Sequence, residues 1–128
     1  MSASSFKDAG NQHLQAKQYD QAIESYSQAI RIDPTDKVFY SNRSAAYLSK
    51  GDAEKALKDA RKTVELDPSW PKGYSRVGAA LHTLHKYQEA IAAYNAGLKI
   101  APGDAGLQSG LKEVEKILEA KDAHRKGK

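Results

Sequence analysis

Asp33-Pro34-Thr35-Asp36 ends a run of amphipathic sequence, and its proline returns at Asp67-Pro68 and at Ala101-Pro102-Gly103-Asp104. The step is 34 residues each time. Other positions keep it: Ala22, Ala56 and Ala90, and Phe6, Tyr40 and Tyr74. Tyr19 and Tyr87, like Gly10 and Gly78, stand two steps apart. A fixed period of this length marks helix–turn–helix units repeated in tandem. Stacked helical pairs form a curved ribbon with an open inner face, where function is to be sought.

Within each unit the apolar spacing predicts two helices. The first pair runs from about Ser4 to Lys17 and from about Asp20 to Arg31, with Gln18-Tyr19-Asp20 at the corner. Ser5 with Asp8 reads as a capping pair. Phe6, Ala9, Gly10 and His13 share one face, with His13 expected in the core; Ala22, Ile23, Tyr26, Ala29 and Ile30 form the facing stripe. Proline then removes a donor and stops the second helix. The next pair spans about Lys37–Ser49 and Ala53–Leu66, and the third about Pro71 to His85 and Tyr87–Ile100. Trp70 is expected at the junction of units two and three.

A seventh helix, from about Asp104 to Lys121, carries Leu107, Leu111, Val114, Ile117 and Leu118 on one face. It reads as the terminal element that covers the last unit's core. Gly106 and Gly110 weaken its start by about 1 kcal/mol each relative to alanine. The expected architecture is all-α: a right-handed superhelix over residues 3–121, with repeats at about 3–36, 37–70 and 71–104, a capping helix at about 104–121 and a flexible tail at 122–128.

Composition narrows the function. The 128 residues hold 20 Lys and Arg against 16 Asp and Glu, a net charge of +4. This mild excess favours an acidic partner over a nucleic acid. With no cysteine, disulfides, thiolate zinc sites and cysteine nucleophiles drop out. No apolar stretch reaches the roughly 20 residues that cross a bilayer, and the first residues lack an apolar signal core. A cytoplasmic location is expected. His82 and His85 stand three apart without a third ligand in phase, so no metal is expected; no cofactor and no enzyme activity are expected either.

The inner face follows from the repeat phase. Residues beside the first helix's buried stripe are Lys7, Asn11 and Leu14. The second unit adds Val38, Asn42, Ala45, Leu48 and Ser49, and the third adds Lys72, Arg76, Ala79, His82 and Thr83. Lys7 with Asn11, and Lys72 with Arg76, are four apart and share a face. A lone helical lysine is usually solvated surface, but three cations and two amides with no acid among them call for an anionic ligand. Asparagine donates without adding charge, and arginine offers a fork to a carboxylate. A chain terminus ending in an acidic residue brings two adjacent carboxylates, and terminal carboxylate capture is a known mode of recognition.

The recurring Phe6, Gly10, Ala22, Tyr26, Ala29 and Pro34, with Tyr40, Tyr47, Ala56 and Pro68 and then Tyr74, Gly78, Ala90, Tyr94 and Pro102, resemble the tetratricopeptide repeat, with Ser44 and Thr63 standing where the family has smaller residues. Lys7, Asn11, Asn42, Lys72 and Arg76 match the five positions of its dicarboxylate-clamp subset. Tyr40–Tyr47 and Trp70–Arg76 are similar to the first repeat domain of the heat-shock organising, stress-inducible co-chaperones. The resemblance implies a co-chaperone adaptor that binds the Glu-Glu-Val-Asp tail of the cytosolic 70-kDa heat-shock chaperone. It implies a peptide specificity pocket of Leu14, Ala45, Leu48, Ser49 and Thr83. Alternatives are the 90-kDa chaperone tail, a clamp-independent scaffold, and a regulatory module of an enzyme.

Overall fold

The computed structural model describes residues 1–126. Seven helices follow one another: α1 (Ala3–Gln15), α2 (Tyr19–Ile32), α3 (Lys37–Lys50), α4 (Ala53–Leu66), α5 (Pro71–Thr83), α6 (Tyr87–Ile100) and α7 (Ala105–Lys126). Each packs on the next. The odd-numbered helices also touch one another, whereas α2, α4 and α6 do not touch among the described residues. The layer whose members meet is the inside of the curve, so α1, α3, α5 and α7 line the concave face of an all-α superhelix.

Local chemistry explains the boundaries. α1 is capped by Ser2, whose hydroxyl accepts from the Ser5 N–H while Ser5 reaches back to the Ser2 backbone. The capping box therefore lies one turn earlier than the expected Ser5–Asp8 pair, because Ser2 already satisfies the first free donors. Asp36 and Asp52 cap α3 and α4. Pro71 opens α5 at a position where its missing N–H costs nothing. Gly51 ends α3 with φ +101°, a conformation that favours glycine. α7 continues through Lys126, so the expected tail is helical at 122–126; Lys121-Asp122-Ala123 contains no breaker, and Arg125 bonds Asp122 one turn back. Residues 127–128 of that expected tail lie outside the described residues.

The core is a string of small residues and rings. Ala22, Tyr26, Ala29, Ala46, Ala56, Ala60, Ala80 and Ala90 are wholly buried. A Cβ on Gly10 would stand 2.5 Å from the Tyr26 ring, and one on Gly78 would stand 2.6 Å from the Tyr94 ring. Unit two reverses the arrangement. Ser44 replaces the glycine, Ala60 replaces the ring, and the buried Ser44 hydroxyl donates to the Ala56 carbonyl at 2.8 Å. Tyr94 is also approached by α7, where a Cβ on Gly110 would be 2.5 Å from its ring. Gly110 thus admits the ring that docks the terminal helix on unit three.

At the junction of units two and three Lys37 pairs with Asp67, and its ammonium lies 5.1 Å from the centre of the Trp70 ring. Hydrogen bonds from Lys37 and then Ser69 pull the Asp67 carboxyl down from its usual 3.8 to about 2.

Two outcomes are expected. Gly110→Ala gains about 1 kcal/mol of helix propensity, but overpacking against a ring held from both sides costs about 1–3 kcal/mol. A lower melting midpoint should result. Because the folded pKa of Asp67 is depressed, its contribution is complete above about pH 4 and is lost as pH falls through about 2. Acid titrations should show wild type more stable than Asp67→Asn near neutrality, with the gap closing over that window.

Candidate functional site

The expected charged and amide side chains lie on three inner helices. α1 carries Lys7, Asn11 and Leu14, α3 carries Asn42, Ala45, Leu48 and Ser49, and α5 carries Lys72, Arg76 and Thr83. The centre is a hydrogen-bonded group. The Asn42 amide donates to Asn11 Oδ1 at 3.2 Å. The buried Tyr26, rooted on α2, donates its hydroxyl to the same oxygen at 2.6 Å. On the other side Arg76 Nε donates to Ser41 Oγ at 3.1 Å. Both lone pairs of Asn11 Oδ1 are therefore used, and its NH2 is left as the group that can bind.

Two arginines show what is free. Arg43 grips the buried Asp59 through Nε at 2.7 Å and a terminal nitrogen at 2.8 Å, and a third nitrogen reaches Ser27. Burial works against its charge, and Asp59 more than offsets this, leaving its pKa above the ordinary value. Arg76 has no such partner among the described residues. Burial holds its pKa below the ordinary arginine value, only partly opposed by the nearby Tyr26 oxygen. No sealed-off side-chain donor lacks a partner among the described residues, so the terminal guanidinium nitrogens of the half-buried Arg76 keep some access to solvent. A desolvated cation without a counter-charge is a strong receptor for an anion.

Lys7 is half-buried and Lys72 exposed, and neither forms an ion pair among the described residues. The side chains proposed for specificity are less uniform. Leu14 packs on the first core cluster and Leu48 on the larger one, leaving part of each exposed. Ala45 is half-buried and Ser49 exposed. Thr83 bonds back to the Ala79 carbonyl at 3.1 Å and borders a cleft against the turn between α3 and α4, lined by Lys50, Gly51 and Asp52.

Other candidates resolve into packing. His85 bonds the Tyr87 hydroxyl at 2.6 Å, and His82 meets the same ring edge-on. Among the described residues no three potential ligands gather around a metal position. His13 is half-buried rather than in the core, because its ring bonds Gln18 at 2.8 Å across the corner. A cleft of about 550 Å³ lies between α4, α5 and α6, lined chiefly by Val64, Tyr74, Val77, Leu81 and alanines of α6. Arg61, Glu65 and Glu89 complete its lining, so acids outnumber its one cation. No helix among the described residues is long and apolar enough to cross a membrane.

Sequence reasoning missed Tyr26 and Ser41 as parts of this group. A buried tyrosine hydroxyl needs a partner, and Asn11 follows the glycine on which Tyr26 packs; that adjacency was the available signal.

Comparisons with known proteins identify the repeat. Models described as TPR repeat and tetratricopeptide repeat match residues 10–51, 39–69 and 71–104. The heat shock protein sti1 homolog of Schizosaccharomyces pombe is 48% identical over 88% of this chain and 19% of its own length. The Hsp70-Hsp90 organizing protein of Triticum aestivum is 41% identical over 89% of this chain and 20% of its own. The chain thus spans about a fifth of these curated relatives. Among solved structures, the Sgt2 TPR domain of Aspergillus fumigatus superposes with a TM-score of 0.90 at 32% identity, covering 94% of this chain and 82% of that one. The second TPR domain of human RPAP3, in complex with the HSP70 peptide SGPTIEEVD, has a TM-score of 0.84 at 33% identity, covering 88% and 94%. The first TPR of Spaghetti (RPAP3), bound to the HSP90 peptide SRMEEVD, has a TM-score of 0.86 at 32% identity, covering 91% and 93%.

The two arginines give an expected contrast. Asp59→Asn strands Arg43 in a largely buried place and should cost about 3–5 kcal/mol of stability in a denaturant titration, while groove residues keep their geometry.

Proposed function

Because this chain belongs to the tetratricopeptide repeat family, we propose that it is a non-catalytic adaptor whose concave face captures the acidic C-terminal tail of a heat-shock chaperone. The observation that carries the reading is the Arg76 guanidinium, without a carboxylate partner among the described residues, beside an Asn11 amide whose oxygen is already occupied and whose NH2 is left to donate.

In this reading Lys7, Asn11, Asn42, Lys72 and Arg76 are the clamp. Arg76 and the two amides take the terminal carboxylates in the centre, and Lys7 and Lys72 flank them from α1 and α5. The tail is flexible when free and lies extended when bound. Each charge-assisted hydrogen bond nets about 1.5–3 kcal/mol, and ordering the tail offsets much of the sum. A micromolar dissociation constant, about −8 kcal/mol, is the expected balance.

Between the two chaperone tails, we assign the 70-kDa one. The two peptides above share Glu-Glu-Val-Asp and differ just before it, with Ile in one and Met in the other. Leu14, Ala45 and Leu48, with Ser49 and Thr83 at the edge, form the pocket proposed to read that residue. The small, half-buried Ala45 leaves room for the β-branched side chain. The 90-kDa tail is the second reading, since a structural neighbour holds its peptide.

Calorimetry with SGPTIEEVD and SRMEEVD tests both levels. Binding of the first should be micromolar, tighter than the second, and weakened by salt. Lys72→Ala or Asn42→Ala should lose about tenfold or more with the melting midpoint barely moved. Wild-type affinity in both variants would reject the clamp, and equal affinity for the two peptides would reject the assignment to the 70-kDa tail alone.

A further inference from the structure

Tyr26 and Tyr94 occupy the same phase of the repeat, two steps apart, and both rings pack on a glycine of the partner helix. Their packing duty is the same. Their hydroxyls differ. The residue after the glycine is Asn11 in unit one and Ala79 in unit three, so only Tyr26 reaches a side-chain amide of the groove, at 2.6 Å. In unit two both partners are absent, with Ala45 and Ala60 at those positions.

An asparagine amide has two ends, and which end faces the groove decides what the groove accepts. With its oxygen outward it would repel a carboxylate and welcome a carboxamide. With its NH2 outward it donates to either oxygen of a carboxylate but to only one end of a carboxamide, whose own NH2 must then turn away. Here the oxygen is turned toward protein and holds two donors, the Tyr26 hydroxyl and the Asn42 amide. A phenol that kept only acceptor capacity could not do this, and Tyr26 remains a donor: burial raises its pKa to about 12, with Arg76 pulling the other way.

We propose that Tyr26 is a positioning residue that sets the selectivity of the groove, fixing the Asn11 amide NH2-outward so that a free terminal carboxylate is preferred to a terminal carboxamide. This rests on the clamp reading above and adds a residue from the outer helix layer to it. The hydroxyl touches no ligand in this arrangement; it acts through Asn11.

The experiment uses the protein chain with SGPTIEEVD as free acid and as C-terminal amide, measured by calorimetry on wild type, Tyr26→Phe, Tyr94→Phe and Asn11→Ala. Tyr26→Phe removes one oxygen and keeps the ring on Gly10. It should weaken the acid by about three- to tenfold, the size of one lost hydrogen bond, and leave the amide unchanged or tighter. The acid-over-amide ratio therefore falls by at least the same factor. Tyr94→Phe makes the same cut at the equivalent packing site and should leave the ratio where it was. A folding effect alone would not move the ratio. If wild type prefers the acid, Asn11→Ala loses the preference and Tyr26→Phe keeps it in full, the positioning role is overturned while the clamp stands. A wild type without acid preference overturns the clamp itself. Should Tyr26→Phe not fold, NMR of the unaltered protein still decides. A Tyr26 hydroxyl proton in contact with the Asn11 side chain supports the role, and an Asn11 side chain averaging between rotamers overturns it.

Discussion

The seat of a tyrosine ring on a bare glycine backbone governs this molecule. It brings α1 against α2, and α5 against α6, close enough that one Cβ would collide with the ring. The odd helices touch one another, and among the described residues the even ones do not. The same seat joins fold to site, because the ring that settles on Gly10 carries its hydroxyl to Asn11.

Charge in this chain is sorted by whether it is answered. Arg43 and Asp59 satisfy each other in the wall between α3 and α4. Lys37 and Asp67, under Trp70, close the seam between units two and three. Arg76 is buried to a comparable degree without an anion of its own. Buried charge is tolerated when paired and costly when not, which is why Arg76 is the residue proposed to take its counter-charge from a ligand. The amides beside it add donors without adding repulsion, so the site concentrates positive potential without crowding cations.

Much of the fold was legible beforehand, for a specific reason. A repeat tests each residue three times: Ala22, Ala56 and Ala90 all proved buried in the same phase, and Pro34, Pro68 and Pro102 all follow the end of an outer helix. Termini were less legible, since capping depends on hydroxyls without phase; hence Ser2 rather than Ser5 begins α1, and α7 runs on through Asp122 and Arg125. His13 looked like core by spacing and proved to be a corner residue bonded to Gln18.

The period and the helical spacing together settled the order and pairing of the six repeat helices, the apolar face of residues 107–118 added the seventh, and Lys7, Asn11, Asn42, Lys72 and Arg76 fell on inner helices, because helical spacing and a fixed step of 34 residues leave little freedom for which face is buried. Only the tertiary structure distinguished the arginine that is spent on Asp59 from the one that is free, and turned the Asn11 amide to a single orientation. Both depend on side chains from neighbouring helices meeting at hydrogen-bond distance. One-dimensional periodicity carries no distance between residues 15 or 31 positions apart, and packing supplies it.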